Sequence, residues 1–534
     1  MTYFTAIAIL KVIVLILLVV FLFYRLNREK ENAREPKNSS TPLAYLSSKR
    51  ALLITLSFIS VACFLNLGTF HGVDSHKPAF LHYWEMFHYY MGSKYFKELG
   101  YSELYNATVV VDAEDNSYLT DKDWIMDLRT YHLIPRVKVL EKAGYYKALF
   151  TSGRWKEFQY DVNFFKKTCF RDRFAAMLRD HGYNPSPLWN ANGYILSNAV
   201  SVDKILFLGL LDTFLLIIMF SVIGFIFGLE IMLIALIFFS TDFISSFYWI
   251  GGSFLRYDWL VSLVMGLCMI NKKRYKTAGV LLSYATMVRI FPILFMIGIG
   301  IKAISNFIAT KKIPRKYINL FLAFILATVI FFAYSCLLGK GIESWKTFIH
   351  RIKVHNQTLL TNNVGYKMVF LYDPTWLNFK TFVSVYEKRG ENPYILLSDV
   401  KRVEFDKRKP EFLLLAAMSL FLFFLLVKNK DDTEVFAWSG FLIFMALAPT
   451  CYYYSFMMMF PIILYKRKVT LGNTIFLALL FIVQIASFAI DFYEDFFLHI
   501  YYEVSFMLFT YFLLLVIYEL YKNLRCRENS PIGD

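Results

Sequence analysis

The sequence predicts an all-α, polytopic membrane protein, and three observations lead to that expectation. Of its 534 residues, 57% are hydrophobic and 19% aromatic, while only 18% are charged; an ordinary soluble domain is about half apolar with about a quarter charged. The apolar residues gather into runs of roughly 18 or more, long enough as helix to cross a hydrocarbon core. The formal charge of +16 is concentrated in short connectors between those runs, where cytoplasmic loops keep their Lys and Arg. In a soluble chain that charge would point to nucleic acid. Here no zinc-ligand spacing, phosphate-binding glycine loop or nucleic-acid motif accompanies it. The first partner is therefore the lipid bilayer, and no nucleic acid is expected. Of the six cysteines, Cys63, Cys268, Cys336 and Cys451 fall in or at apolar segments. Cys169 and Cys526 stand alone, so no disulfide framework is available.

Residues 1–70 read as N-terminal membrane spans joined by a basic connector. The first span, about Tyr3–Tyr24, lacks a basic segment before it and a small-residue cleavage site, so it is expected to remain as an anchor. Arg25, Arg28, Lys30, Arg34, Lys37, Lys49 and Arg50 place the connector in the cytoplasm, and its Pro, Asn and Ser content predicts poor order. A second span, about Ala51–Phe70, exits on the opposite face. Residues 71–200 form the large soluble element, expected to be a mostly helical outer-loop domain lying on the membrane, with Trp84, Trp124, Trp155 and Trp189 among its aromatics. Its last stretch, GYNPSPLWN (Gly182–Asn190), reads as an extended return to the membrane.

Residues 201–338 form a membrane bundle, beginning with spans at about Lys204–Phe227, Ile231–Tyr248 and Tyr257–Ile270. The apolar stretch Thr277–Ile301 is flanked by two basic clusters, Lys272–Lys276 and Lys302–Lys316. If both are cytoplasmic, the stretch must enter and return, each half of about 13 residues rising only about 20 Å. Arg289 and Pro292 lie at its middle, and proline breaks a helix there. A mid-membrane hairpin is therefore expected in preference to one kinked span with Arg289 buried against a partner. A span at about Ile318–Leu338 leads to a second outer loop, residues 339–410. Residues 411–521 then carry the C-terminal spans, including a second hairpin, Phe436–Pro449 and Tyr454–Tyr465, whose tip reads APTCYYY. Residues 522–534 are a basic cytoplasmic tail. This gives roughly 13 membrane helical segments with one sidedness and no internal repeat.

Both outer loops and both hairpin tips converge on the outer face. The run WEMFHYYMGSKYFKELGYSELY (Trp84–Tyr105) opens the first loop, with Glu85, His88 and Tyr89 at helical spacing. Read blandly, it is an interfacial amphipathic helix. Read chemically, Glu85 is a general base that takes a proton from a hydroxyl, with Asp74 as its rival. An ionisable group at membrane depth usually pairs or works, which singles out Arg289, whose planar fork suits phosphate. His355 either meets a phosphate or orders its loop, and Arg351 and Lys353 read as solvated loop charges. Arg256 reads first as a structural partner for Asp258 or Asp242, with a phosphate contact as its other candidate role. Asp212 and Asp242 are expected to pair with cations inside the bundle. Asp112, Glu114 and Asp115 lack calcium-loop spacing and read as a solvated turn.

The run Glu85-xxx-Tyr89-xx-Gly92…Gly100-xxx-Leu104-Tyr105, placed after an early span, resembles the first-loop signature of GT-C superfamily glycosyltransferases. It is most similar to the polyprenyl-phosphate-mannose-dependent mannosyltransferase branch. The stretch KKRYKTAGVLLSYATMVRIFP (Lys272–Pro292) is similar to the family's basic turn followed by Ala-Gly and Lys-x-x-Pro, with Arg289 at the Lys position. HNQTLLTNNVG (His355–Gly365) resembles its His-Asn…Asn-x-x-Gly outer loop, and Tyr452–Tyr454 stand at a span tip. The acid at the start of the first loop is usually Asp in that branch, so Glu85 is a departure. No family pattern covers the insertion from about Asn106 to Pro187.

The resemblance implies a GT-C-like bundle that moves a sugar, such as the hexose mannose, from a polyprenyl monophosphate carrier to an acceptor hydroxyl outside the cytoplasm, with inversion. It implies Glu85 as catalytic base, and donor-phosphate contacts among Arg289, His355, Arg351 and Arg256. His88, Tyr89, Asn356, Asn363, Tyr452 and Tyr453 would line the substrate pocket. The polyprenyl-phosphate sugar is a co-substrate; no other cofactor and no metal is called for by anything in the sequence. The acceptor would be a glycolipid, polysaccharide or protein, and a bacterial inner membrane with an active site on its periplasmic face is the expected location. Two other classes stay open: a transporter or flippase of a lipid-linked sugar, and a non-catalytic envelope assembly subunit.

Overall fold

Seven helices among the described residues are long and apolar enough to cross a membrane by length and composition: Tyr3–Glu31, Val202–Phe227, Ile293–Thr310, Arg315–Leu338, Asp399–Val427, Leu471–Tyr493 and Leu498–Asn523. They belong to a computed structural model that describes residues 3–34, 43–72, 79–338, 340–371, 393–494 and 497–528. The chain is thus a mainly helical, multi-pass membrane protein. Its exposed apolar side chains follow helical rows: Phe207, Leu210, Phe214 and Ile217 on one span, Leu322, Leu326, Val329 and Ile330 on another. A stripe of that kind left unburied suits lipid rather than water. Shorter apolar helices, Leu229–Thr241 and Asp258–Asn271, pack inside. The latter is almost wholly buried and touches Leu206–Phe227, Tyr275–Val288 and Asp432–Trp438.

The basic connectors meet at one end of the bundle. Lys49 pairs with Glu230 at 2.5 Å, Tyr465 donates to the same Glu230, and the Arg25 guanidinium lies 3.9 Å over the Tyr465 ring. Lys466 donates to Asn271 at 2.8 Å. Arg467 joins Glu434 at 2.6 Å and also Glu519, which Lys430 reaches too.

Those contacts resolve the two apolar stretches into hairpins. Tyr275 opens a helix ending at Val288, and Ile293–Thr310 follows after a break at Arg289–Pro292. Tyr275 and Tyr317 both donate to Asp432, at 2.5 and 2.8 Å. Near the other end, Lys302 donates to the carbonyls of Val427 and Lys428. The chain therefore enters and returns to the same end, with Arg289 at the tip. In the second hairpin, Glu434 at the start pairs with Arg467 just past the end, and the chain is extended at Leu447 and Thr450 in between. Several boundaries differ from the sequence expectation: the second arm of the first hairpin runs on to Thr310, the span expected over Ile231–Tyr248 is the helix Leu229–Thr241, and the helix expected from Glu411 begins at Pro393. The second helix is Leu43–Phe64 and stops before a short turn at Asn66–Gly68, where the Asn66 side chain donates to the Phe70 carbonyl. The GYNPSPLWN return is extended only to Ser186, which caps a helix Pro187–Ala199 by accepting from the Trp189 N–H.

The first outer loop folds as a small domain, and it is not purely helical. Trp124–Asp127 pairs antiparallel with His132–Pro135. Asp127 makes the turn by accepting from the Arg129 N–H and the Thr130 hydroxyl, and Ile125 and Met126 are buried beneath. Nor is Asp112 a solvated group. It is fully buried, 2.9 Å from Lys166, and accepts from the N–H groups of Tyr118 and Leu119. A buried carboxylate persists only with such partners. Gly92 is required by packing, because a Cβ there would lie 2.3 Å from the Tyr183 ring. Gly92→Ala is expected to cost about 1–3 kcal/mol, as overpacking does, and to lower the thermal unfolding midpoint of the solubilised protein.

Candidate functional site

The outer loops and hairpin tips enclose two cavities with a common wall. The larger, about 500 Å³, is a chamber lined by Trp84, Glu85, His88, Tyr89, Asp180 and Arg256, among others. The second, about 300 Å³, is a mainly apolar groove lined by Arg289, Ile290, Ile293, Leu294, Asn356, Asn363 and Leu447, among others. Asn184, His355, Thr450 and Tyr453 line both.

Glu85 reaches the chamber from the first helix of the loop domain, which begins when His82 Nδ1 accepts the Glu85 N–H at 3.2 Å. The helix then widens into a π-turn over Phe87–Met91, a local insertion often found at functional sites. Trp84, Glu85, His88 and Tyr89 all face the chamber. His88 Nε2 lies 2.6 Å from the Tyr105 hydroxyl, tying the two ends of the Trp84–Tyr105 run together.

Arg256 faces Glu85, with Nη1 2.7 Å from Oε2, though the pair lacks hydrogen-bond alignment. The guanidinium lies 4.1 Å over Tyr89 and 5.5 Å from Tyr452. Its loop is held from below by Asp212, which accepts the N–H groups of Arg256 and Tyr257. Asp258 instead accepts from the Tyr284 hydroxyl at 2.9 Å, and Asp242 from Ser245. The partner of Arg256 is therefore Glu85, not Asp258 or Asp242, and Asp212 binds backbone rather than a cation's side chain.

Arg289 closes the first half of its hairpin in an extended conformation. It is buried, with Nη1 donating to the Val288 carbonyl at 3.2 Å. Nε and Nη2 have no hydrogen-bond partner among the described residues, as is also true of Nε and Nη2 of Arg351; unlike Arg351, Arg289 lines the groove. Tyr453 and Tyr89 are within its electrostatic reach, as is Glu85.

The second outer loop is laid on the tip of the other hairpin. The Val364 N–H donates to the Pro449 carbonyl, the Cys451 N–H to Asn362, and Asn363 Nδ2 to Ala448 at 2.6 Å. Gly365 must be glycine: φ is +146°, and a Cβ would meet the Leu447 carbonyl at 2.4 Å. This pairing carries Tyr452 and Tyr453 to the chamber and Asn356 and Asn363 to the groove. Arg351 is buried rather than solvated, and lines neither large cavity. Its Nη1 donates to the carbonyls of Tyr101 and Leu128, at 3.0 and 2.6 Å, pinning one outer loop to the other. Asp74 lies outside the described residues.

Asp180, which lines the chamber, carried no sequence signal. Trp84 Nε1 donates to Asp180 at 2.7 Å across a separation of 96 residues. Burial works against the Asp180 charge, but His181, His88 and Trp84 hold its carboxyl well below the usual range. Burial is the largest influence on Glu85 too and pushes it above the ordinary glutamate range; Arg256 and Arg289 oppose the rise and Asp180 adds to it. The chamber thus pushes its two carboxyls apart, holding Asp180 ionised and raising Glu85. Burial, then His181 and Arg351, bring His355 down to about 4. It is therefore a neutral hydrogen-bonding group, not a cation. Comparison of the chain with protein-family profiles, with curated proteins and with solved structures found no match.

Proposed function

We propose that the chain is an integral-membrane glycosyltransferase of GT-C-like architecture, in which the two hairpins and the shorter apolar helices complete a bundle of roughly 13 membrane segments. It takes a sugar, mannose or another hexose, from a polyprenyl monophosphate carrier on the extracytoplasmic face, the periplasmic side of a bacterial inner membrane. The observation that carries the reading is that the Glu85 carboxylate and an Arg289 guanidinium with unused donors line two adjoining cavities, one polar and one mainly apolar. An apolar groove lined by a cation suits a prenyl chain ending in phosphate.

Glu85 takes the proton of the acceptor hydroxyl as its oxygen bonds to the anomeric carbon. The bond from that carbon to the phosphate oxygen breaks with its electron pair going to phosphate, and attack from the opposite face inverts the centre. The leaving phosphate gains one negative charge, which Arg289 meets, with neutral His355 as a hydrogen-bonding neighbour and Asn356 and Asn363 along the groove. A donor already aimed at developing charge acts without reorganising. Arg256 holds Glu85 in place and favours its carboxylate.

Transfer of label from a radiolabelled polyprenyl-phosphate hexose by purified protein tests the reading. Carrier moved between leaflets with no product formed would identify a flippase instead. The pH profile is a second test. The carboxylate is the active form, so kcat/KM falls as pH drops through the Glu85 pKa. Arg256→Gln removes a cation that favours that form, so the acid limb is expected to move to higher pH. An unmoved limb would mean that Glu85 is not the group titrating.

A further inference from the structure

Part of the chamber's wall is not shared with the Arg289 groove. That part includes Phe4, Phe70, His71, Tyr248 and Trp249, none of which lines the groove. Phe4 sits in the first turn of a helix long and apolar enough to cross the membrane. It is 43% exposed and Tyr248 51%. Aromatic side chains half sunk at the end of a span mark the level where hydrocarbon gives way to headgroups. A polar chamber with that wall is placed for molecules that diffuse within the bilayer, whereas a wall of charged loop residues would suit a soluble chain.

The same wall carries a positive charge. Exposed Arg173 lines it, within electrostatic reach of His71 and His82. Burial chiefly keeps both imidazoles low, His71 at about 4, so they are neutral hydrogen-bonding groups. Arg256, the other arginine lining the chamber, is engaged by Glu85. Arg173 is thus the charge on this wall that an incoming anion would meet.

We infer that the acceptor is itself a membrane lipid with an anionic headgroup, entering laterally past Phe4 and Tyr248 while the donor occupies the groove. The inference rests on sugar transfer at Glu85 and names the acceptor class for that site. The acceptor's chain lies along the aromatic wall, its anionic group meets Arg173, and its hydroxyl reaches Glu85. Donor and acceptor use different cavity walls, so neither must leave before the other binds.

Two measurements test this. Protein in nanodiscs is given a radiolabelled polyprenyl-phosphate mannose and lipid extract from its native membrane, and products are treated with mild acid, which destroys unreacted donor. Acid-stable label in the organic phase is expected, with Arg173→Glu raising KM for the lipid acceptor several-fold. Acid-stable label in the aqueous phase or the protein pellet overturns the lipid acceptor while leaving sugar transfer intact. If no acid-stable label forms anywhere, the transferase reading itself fails. Independently of activity, benzoylphenylalanine replacing His71, or Phe70 if that variant misfolds, is photolysed in phosphatidylglycerol nanodiscs. A lipid adduct is expected, and one weakened by Arg173→Glu. Its absence, with an adduct still formed at the rim position 248, would show that lipid stops at the boundary and would overturn the inference.

Discussion

Glu85→Gln is expected to slow sugar transfer by roughly 10²- to 10⁴-fold, the usual contribution of a positioned general base. The amide keeps the shape and the proximity to Arg256 but cannot accept the proton. The loss should therefore appear in kcat, with the KM for the polyprenyl donor little changed. The same substitution removes the negative partner of a buried guanidinium, which costs stability when the survivor is left unpaired. For that reason folding is checked alongside by thermal unfolding and by donor binding. Full-rate transfer by a well-folded Glu85→Gln protein would remove the base from the mechanism.

Arg289→Ala is expected to lower kcat by about 100- to 1000-fold, as loss of one preorganised donor to developing charge does. The donor is already a phosphodiester anion before reaction, so ground-state affinity should fall as well and KM should rise. Arg289→Lys restores charge without the planar fork and is expected to recover only part of the rate. Trimming a neighbouring wall aromatic such as Phe291, which packs 5.1 Å from Tyr453, should cost far less. Equal losses from the two would mean that Arg289 acts by packing rather than by charge.

Much of this arrangement was legible in the sequence because bilayer physics is strict. Lys and Arg clusters favour the cytoplasmic face, so the two clusters flanking Thr277–Ile301 favoured both ends of that stretch on one side over a single kinked span. Pro292 fixed where the turn must come, and the contacts of Tyr275, Tyr317 and Lys302 near Asp432 are the consequence. The aromatic run from Trp84 marked the chamber for a similar reason, since Glu85, His88 and Tyr89 share a face at helical spacing. What was illegible depends on distant pairing. Nothing in the spacing of Glu85 and Arg256 joins them, and nearby acids made better-looking partners for the arginine. Asp180 was assigned no role in the sequence, and its place in the chamber depends on Trp84 and His88 arriving from elsewhere. Arg351 looked solvated because outer loops usually are, yet it fastens the two loops together. The short hairpin of Trp124–Pro135 is set by its Asp127 turn inside a segment otherwise composed for helix.

The central claim is that Glu85 and Arg289 serve one reaction from two adjoining cavities that share Asn184, His355, Thr450 and Tyr453 in their linings. A double-mutant cycle measures this most directly, using single-turnover transfer from a saturating polyprenyl-phosphate mannose by wild type, Glu85→Gln, Arg289→Ala and the double variant. Groups acting as one catalytic unit are strongly non-additive, so the double variant should be about as slow as the slower single one. Losses that simply multiply, or a wild-type protein that transfers no sugar under these conditions, would contradict the account.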